Sequence, residues 1–294
     1  MRVATIGNFD GVHGGHRALV RMARDRAGDG QVIAVTFDPH PAAIVRPDLA
    51  PPMLSTVARR EALLREAGAD EVVVLEFTRE LAASSPADFA RMLREDPRIR
   101  ADLVIVGENF RFGARAAGDT AALESLGAEL GFDVQALPLV SGEDADAWSS
   151  TRIREAISEG DVASATLMLG RPHRLEGVVV RGDQRGRELG YPTANLDVTR
   201  DLAIPPDGVY AGWLVVAGEI LPAAISIGTN PQFAGTDRRV EAYAIDREGL
   251  DIYGAPAAID LVARLRGQQV FDSVDDLVAQ MARDVAGARR ALGG

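Results

Sequence analysis

Two histidines three residues apart stand in a glycine-rich segment near the start of the chain. Residues 7–16 read GNFDGVHGGH, with two glycines between His13 and His16. Glycine lets a backbone turn sharply towards a ligand, and the N-terminus of a following helix offers N–H groups to a phosphate. We expect phosphate binding here, although such a histidine pair can instead cap the helix or bind a metal. The candidate phosphate ligands are Gly7, Phe9, Asp10, Gly11, His13 and His16.

A run of hydroxyl side chains forms a second candidate phosphate site. Ser149, Ser150 and Thr151 precede a predicted helix, so their hydroxyls and its first-turn N–H groups can hold phosphate oxygens. Capping of that helix is the alternative, and both roles can hold together. Arg154 can supply a fixed positive charge to the site or can be a solvated helix residue. All 32 basic residues are arginine, so no lysine is available for phosphate chemistry.

A second concentration of glycine and arginine lies in the segment 177–195, GVVVRGDQRGRELGYPTAN, which can fold over a nucleotide as a flap. Thr193 and Asn195 are alternate residues of a predicted strand, so their side chains share one face. Their oxygens are hard ligands suited to Mg²⁺, while a polar edge strand is the alternative. Glu241 is a candidate base, because His173 is the only histidine in this half. An exposed strand glutamate is the simpler interpretation.

The first group of motifs resembles a known family. The glycine–histidine segment is similar to the signature of bacterial bifunctional riboflavin kinase/FAD synthetases, whose N-terminal module belongs to the HxGH nucleotidyltransferases. The resemblance continues in order through 36–41 (TFDPHP), 106–113 (VGENFRFG) and 149–154 (SSTRIR). It implies that His40, Asn109 and Arg111 bind the flavin or the nucleotide.

The second half resembles the kinase half of the same family. The matching segments are 182–195 (GDQRGRELGYPTAN), 206–211 (PDGVYA), 227–231 (IGTNP) and 239–243 (RVEAY). In the last of these, Glu241 matches the family's catalytic glutamate. The kinase ATP-binding residues that the resemblance implies are Gly177, Gly182, Gly186, Arg187, Gly190, Thr193 and Asn195. Thr193 and Asn195 are also the implied ligands of Mg²⁺.

The resemblance implies two successive transferase reactions with ATP as co-substrate. Riboflavin is phosphorylated to FMN, with Glu241 taking the proton of the attacking hydroxyl. FMN is then adenylylated to FAD with release of pyrophosphate, while His13 and His16 stabilise phosphate charge as catalytic residues. Two alternatives remain open. One is a nucleotidyltransferase for another phosphorylated cofactor precursor, carrying a non-catalytic flavin-binding barrel. The other is a flavin-binding or regulatory protein without catalysis.

Apolar β-rich runs alternate with helical patterns through the first half, which predicts a Rossmann-like parallel sheet covered on both faces. The predicted strands are 3–6, 32–37, 72–77, 103–106 and 134–139. The predicted helices include 16–26, 57–66, 86–95 and 120–130. Ligands of such sheets bind at the C-terminal ends of the strands, and the first three motifs stand at those ends.

After about residue 160, strands follow one another without long helices between them, which predicts a small antiparallel barrel. The predicted strands are 177–181, 193–198, 209–216, 221–227, 240–246 and 258–264. A small helix at 160–170 connects the halves, and an amphipathic helix at 273–292 closes the chain. The predicted fold is α/β. It comprises a nucleotidyltransferase domain at 1–160, a linker at 161–172 and a kinase barrel at 173–294.

The composition is that of a globular protein, with 47% hydrophobic and 26% charged residues among 294. A net charge of −11 disfavours nucleic-acid and anionic-membrane partners, and no apolar run is long enough to span a bilayer. Cysteine is absent, which removes disulfides and thiolate metal sites. We expect a cytoplasmic enzyme with small-molecule substrates and an oligomeric state that the sequence leaves open.

Overall fold

Two compact units make up the protein, which was studied as a computed structural model. The structure describes residues 1–138, 148–182, 189–229, 238–247 and 249–293. The first unit contains Met1–Pro51 and Val57–Ser150, and the second contains Pro52–Thr56 and Thr151–Gly294. The chain therefore enters the second unit at Pro52, returns to the first at Val57, and leaves it again after Ser150.

A five-stranded parallel sheet forms the centre of the first unit. Its strands are β1 (Arg2–Ile6), β2 (Gln31–Asp38), β3 (Glu71–Glu76), β4 (Leu103–Gly107) and β5 (Asp133–Leu137). They lie in the order β3-β2-β1-β4-β5, and every neighbouring pair is parallel. The predicted Rossmann-like sheet is thus confirmed, with strand ends shifted by a residue or two. Residue 139 of the last predicted strand lies outside the described residues.

Helices cover both faces of this sheet. They are α1 (Gly14–Ala27), α2 (Pro41–Val45), α3 (Val57–Glu66), α4 (Arg79–Ala83), α5 (Pro86–Glu95) and α6 (Thr120–Leu130). Successive residues of β1 point to opposite faces. Val3 therefore packs in one cluster with Val20 of α1, while Ala4 packs in another with Leu93 of α5. The central strands are buried on both sides, which explains their continuous apolar sequences.

The second unit is a closed antiparallel barrel, as the sequence predicts. Its strands are β6 (His173–Val180), β7 (Ala194–Val198), β8 (Gly208–Val216), β9 (Glu219–Thr229), β10 (Arg238–Ala244) and β11 (Pro256–Gly267). The strands close in the order β10-β7-β6-β11-β8-β9, so no strand edge is left unpaired. The helices of this unit are α7 (Ser150–Glu159), α8 (Val162–Leu169) and the C-terminal α9 (Val274–Ala291).

Residues 52–56 are built into the second unit by backbone hydrogen bonds. The Met53 N–H donates to the Asp201 carbonyl at 2.6 Å, and the Ala203 N–H donates to the Met53 carbonyl at 2.8 Å. Leu54, 3% exposed, packs in a cluster with Ile153 and Ala203. Because α7 contributes to that cluster, the chain divides at Ser150, earlier than the boundary predicted at residue 160.

Candidate active sites

The loop after β1 has a constrained backbone. Phe9 and Val12 have φ values of 48° and 41°, in the left-handed region that non-glycine residues rarely occupy, and Gly11 between them has 77°. Each such residue costs about 1–3 kcal/mol, and such strain is concentrated at functional sites. Phe9 and Asp10 are almost fully buried. The surrounding structure therefore holds this loop in one conformation at the C-terminal edge of the sheet.

His13 forms the N-terminal cap of α1. Its Nδ1 accepts a hydrogen bond from the Gly15 N–H at 3.2 Å. A neutral His13 ring then carries its proton on Nε2, the nitrogen that can donate to a phosphoryl oxygen. The capping role that the sequence left open is thus present, and it fixes the tautomer that phosphate binding requires.

His16 lies against His13 with its ring stacked on it. The two histidine ring centroids are 3.7 Å apart, and the ring centroids of Phe9 and His16 are 5.2 Å apart in a T-shaped arrangement. Burial holds the pKa of His16 well below its usual 6.5, and the nearby charges of His13, Arg17 and Arg60 lower it further. His16 is therefore neutral at pH 7. Its buried Nδ1 has no hydrogen-bond partner among the described residues.

The hydroxyl segment adjoins the same loop. The Ser150 hydroxyl donates to the Asp10 carbonyl at 2.9 Å. Helix α7 begins at Ser150, so of the three hydroxyl residues only Ser149 precedes it, which corrects the expectation for Ser150 and Thr151. The Arg154 Nε donates to the Pro52 carbonyl at 2.7 Å within the second unit.

Trp148 packs directly on the first residue of α1. The Trp148 indole occupies the space that a Cβ atom on Gly14 would need. The Trp148 side chain and the first turn of α1 are thereby fitted to each other. Only glycine at position 14 allows this approach.

The three residues assigned to flavin or nucleotide binding lie on the loops after β2 and β4. His40 caps α2, with its Nδ1 accepting from the Ala42 N–H at 3.1 Å, and its Nε2 lies 3.3 Å from the amide nitrogen of Asn8. Asn109 and Arg111 are exposed. Because β2 and β4 flank β1, these loops share the sheet edge that carries the two stacked histidines.

In the second unit, Thr193 and Glu241 are joined by a hydrogen bond. The Thr193 hydroxyl donates to Oε2 of Glu241 at 3.1 Å. Glu241 is directly opposite Asn195 in the pairing of β10 with β7, so the two side chains share one face. The Asn195 amide lies where a Cβ on Gly182 would stand, so this glycine leaves room for it. The structure thus brings the predicted base and both predicted metal ligands together.

A cavity of about 510 Å³ opens beside this group. Gly182, Gly190, Thr193 and Asn195 line it, together with the segment 249–253. That segment was not predicted as part of the site, because it lies between strands and has no regular pattern. The one available signal in the sequence was the aromatic residue Tyr253. In the structure, the centroid of its ring lies 5.5 Å from the Arg181 guanidinium.

One residue assigned to kinase ATP binding, Gly177, does not line this cavity. Gly177 lies within β6, where a Cβ would collide with the Asp197 carbonyl of the paired strand. Its lack of a side chain therefore serves strand packing. Gly186 and Arg187 lie outside the described residues, as does part of the predicted segment 227–231.

Among the residues that the structure describes, no group of three or more histidine, cysteine or acidic side chains could hold a metal ion. No helix in this part of the chain is both long enough and apolar enough to cross a membrane.

The two units, one with a stacked histidine pair and one with a hydrogen-bonded glutamate and threonine, correspond to two transferase modules. The FAD synthetase family model matches residues 1–152, and the riboflavin kinase model matches residues 169–292. The chain belongs to the bifunctional riboflavin kinase/FMN adenylyltransferase family. Its function is flavin cofactor synthesis, with riboflavin, FMN and ATP as small-molecule substrates.

Individual relatives are similar over nearly the whole chain. The bifunctional riboflavin kinase/FMN adenylyltransferase of Escherichia coli (strain K12) is 37% identical over 294 residues, covering 99% of this chain and 93% of the relative. The one of Bacillus subtilis (strain 168) is 30% identical, covering 96% and 90%. A crystal structure described as a macrolide-efflux protein from Streptococcus pneumoniae superposes with a TM-score of 0.88 at 32% identity, covering 98% and 93%. These matches do not favour a nucleotidyltransferase with a non-catalytic barrel.

Proposed function

We propose that the two reactions are divided between the two halves of the chain. Residues 1–160 adenylylate FMN, residues 173–294 phosphorylate riboflavin, and 161–172 link them. The separate family matches at 1–152 and 169–292 support this division. The observation that carries the kinase assignment is the hydrogen bond between Thr193 and Glu241 on the face that also bears Asn195.

In the kinase reaction, Glu241 accepts the proton of the riboflavin 5′-hydroxyl as that oxygen attacks the γ-phosphorus of ATP. A carboxylate is a suitable base for this task when it lies within hydrogen-bond reach of the hydroxyl. The Thr193 hydroxyl holds one carboxylate oxygen and so orients the group. The adjacent cavity provides the space for ATP, with Gly182 and Gly190 at its wall.

Thr193 and Asn195 are the proposed protein ligands of Mg²⁺. Thr193 gives its hydrogen to Glu241, so its oxygen lone pairs remain able to bind a cation. The amide of Asn195 is held in the space that Gly182 leaves open. Two hard oxygen ligands suit an ion that also binds water and phosphate oxygens. When bound, Mg²⁺ offsets the negative charge of the phosphates.

In the adenylyl transfer, the phosphate of FMN attacks the α-phosphorus of ATP and pyrophosphate leaves. The nucleophile is anionic near pH 7, so no protein base is needed. His13 donates from Nε2 and His16 acts as a neutral hydrogen-bond donor, because burial keeps its pKa low. Donors fixed before the reaction stabilise charge that grows in the transition state. The N-terminus of α1 adds its N–H groups.

The remaining phosphate and flavin ligands of this site are part of the same proposal. They are Gly7, Phe9, Asp10, Gly11, Ser149, Ser150, Thr151 and Arg154 for ATP, and His40, Asn109 and Arg111 for flavin or nucleotide. We also place the protein in the cytoplasm, where ATP is available to both reactions. The net charge of −11 supports small molecules, and neither nucleic acid nor membrane, as partners.

Incubation of the protein with riboflavin and Mg-ATP, followed by chromatography of the flavins, tests the whole proposal. FMN should form first and FAD should follow at its expense. A protein that retained flavin tightly without consuming ATP would be a binding protein, contrary to the proposal. FAD formation from supplied FMN, without phosphorylation of riboflavin, would contradict the assignment of the barrel.

A further inference from the structure

Arg60 of α3 is a buried arginine beside the phosphate loop. It is 1% exposed. Its Nη1 donates to the Asn8 carbonyl at 2.9 Å and to the Phe37 carbonyl at 3.1 Å, and it lies 3.2 Å from the Thr36 hydroxyl. One nitrogen therefore joins the C-terminal ends of β1 and β2, the two strands whose loops carry the stacked histidines and His40.

The hydrogen bonds around Arg60 extend to the site. The Thr36 hydroxyl also donates to the Asn8 carbonyl, at 3.0 Å. The Asn8 side chain lies against His40. Arg60 thus holds the residue that follows Gly7 and precedes the strained Phe9. A displacement of Asn8 would move the phosphate loop and His40 together.

Packing alone does not explain why a charged side chain is buried at position 60. Burying a guanidinium is costly unless it is paired, yet within the described part of the chain its hydrogen bonds reach no carboxylate. Its buried Nε has no partner there either. Burial lowers the pKa of Arg60, while the charges of Asp10, Asp38 and Glu61 raise it. Because an arginine loses its proton only at very high pH, the group stays cationic.

The positive charge of Arg60 reaches the reacting groups. It lowers the pKa of His16, after burial, His13 and Arg17. Charges in a buried environment are weakly screened by salt, so an ATP phosphate at this loop would experience the same field. No lysine exists in the chain to provide it.

We propose that Arg60 is a positioning residue for adenylyl transfer, which fixes the loops after β1 and β2 and supplies a permanent buried cation to the phosphate site. The inference rests on the proposed location of adenylyl transfer in this unit. Arg60 acts through Asn8 and through its electrostatic field, without touching the substrate.

Three variants separate the two parts of this role. Arg60→Lys keeps the charge and three donors on one nitrogen, Arg60→Gln keeps donors without charge, and Arg60→Met removes both. Arg65→Met, on the exposed side of the same helix, is the matched control. A misplacement of about 1 Å can cost on the order of 10²-fold in rate. We therefore expect Arg60→Met to lower kcat for FAD formation about 10²-fold, with a smaller change in KM.

Circular dichroism of the same preparations reports on folding, and phosphorylation of riboflavin, which we assign to the other unit, should stay within about twofold of wild type. Arg60→Lys should recover most of the adenylyl transfer rate. In Arg60→Gln and Arg60→Met, loss of the charge raises the pKa of His16, so its ring titration followed by NMR should move to higher pH. Arg65→Met should leave both the rate and the His16 titration unchanged.

The outcomes are distinguishable from failure of the proposed function. If the wild-type protein makes no FAD from FMN, the proposed function fails. If it does, and Arg60→Met matches it in kcat and in the His16 titration, the role of Arg60 is refuted. Should Arg60→Met not fold, Arg60→Gln decides. A wild-type rate and an unmoved His16 titration in that variant would equally refute the role.

Discussion

The Trp148 indole fills the space that a side chain at Gly14 would occupy. Gly14 is the first residue of α1 and lies between the two histidines of the phosphate loop. Trp148 therefore packs on the N-terminal turn of α1, where we propose that adenylyl transfer occurs. The fit is specific to a large planar ring opposite a residue without a Cβ.

Gly14→Ala should impair adenylyl transfer, because the added methyl collides with Trp148. Overpacking of this kind costs about 1–3 kcal/mol, and Gly14 directly follows His13 in the chain. FAD formation from supplied FMN should fall at least tenfold, while FMN formation stays normal. Flavin products resolved over time provide the measurement. The double variant Gly14→Ala/Trp148→Ala should recover part of the loss, and no recovery would mean that the collision is not the cause.

Thr193→Ala should slow FMN formation selectively. It removes both the donor that holds Glu241 and a proposed Mg²⁺ ligand. Loss of one such group costs on the order of 10²–10³ in rate. Conversion of supplied FMN to FAD should remain close to wild type. Thr199→Ala, an exposed threonine beyond the same strand, is the control, and equal loss of both activities would point instead to general damage.

Glu241→Gln and His16→Ala should fail in opposite reactions. Removing a general base costs about 10²- to 10⁴-fold, so Glu241→Gln should scarcely make FMN but should still adenylylate it. Losing one donor to a developing charge costs about 10²- to 10³-fold, so riboflavin given to His16→Ala should stop at FMN. Circular dichroism confirms folding, and Glu155→Gln on the exposed side of α7 is the control for the carboxylate. Folded His16→Ala that makes FAD at the wild-type rate would exclude the histidine assignment.

His173 should make the second unit sensitive to acid. Burial lowers the pKa of His173 from 6.5 to about 4, and its Nε2 lies 2.7 Å from the Ala203 carbonyl. Below pH 6.5 His173 binds a proton in the unfolded chain, whereas in the folded state it stays neutral until about pH 4. Stability is therefore lost as pH falls across that window, by at most about 3 kcal/mol for this group. The free energies of unfolding of wild type and His173→Gln, measured in urea, should diverge between pH 6.5 and 4 and run parallel above pH 7. Parallel curves throughout would contradict this account.

A fragment of the kinase half that begins at Arg171 should be less stable than the kinase unit in the full chain. Such a fragment lacks α7, α8 and residues 52–56, whose apolar side chains form one cluster with Ala203. We expect a fragment of residues 151–294 to unfold at a lower temperature than the kinase unit in the full chain. A peptide of residues 50–58 should raise its melting temperature, since ligands that bind only the folded state stabilise it. The same peptide with Leu54→Asp should have no effect. A fragment beginning at Arg171 that is as stable and active as the full chain would refute the contribution of α7, α8 and residues 52–56.

Local patterns in the sequence were sufficient for the sheet and the barrel, while the roles assigned to the site residues stay predictions. Short apolar runs predicted the strands of both units, and alternation predicted that Thr193 and Asn195 share a face. Arg60 was not predicted, because a helix arginine gives no sign in the sequence of which carbonyls it will meet. Residues 52–56 were missed for a similar reason, since their partners lie about 150 residues further along the chain.

The crossing of the chain at Pro52–Thr56 also affects how the protein is made. These residues are synthesised with the first unit, but Asp201 and Ala203, to which they bond, are synthesised much later. Synthesis proceeds at about 5–20 residues per second. Leu54 therefore stays on the order of ten seconds without Ala203, which packs against it in the folded protein. During this interval an apolar segment destined for the interior is open to chaperones and proteases. The kinase unit cannot be completed from its own stretch of nascent chain, so its folding depends on a segment that was synthesised about 150 residues earlier.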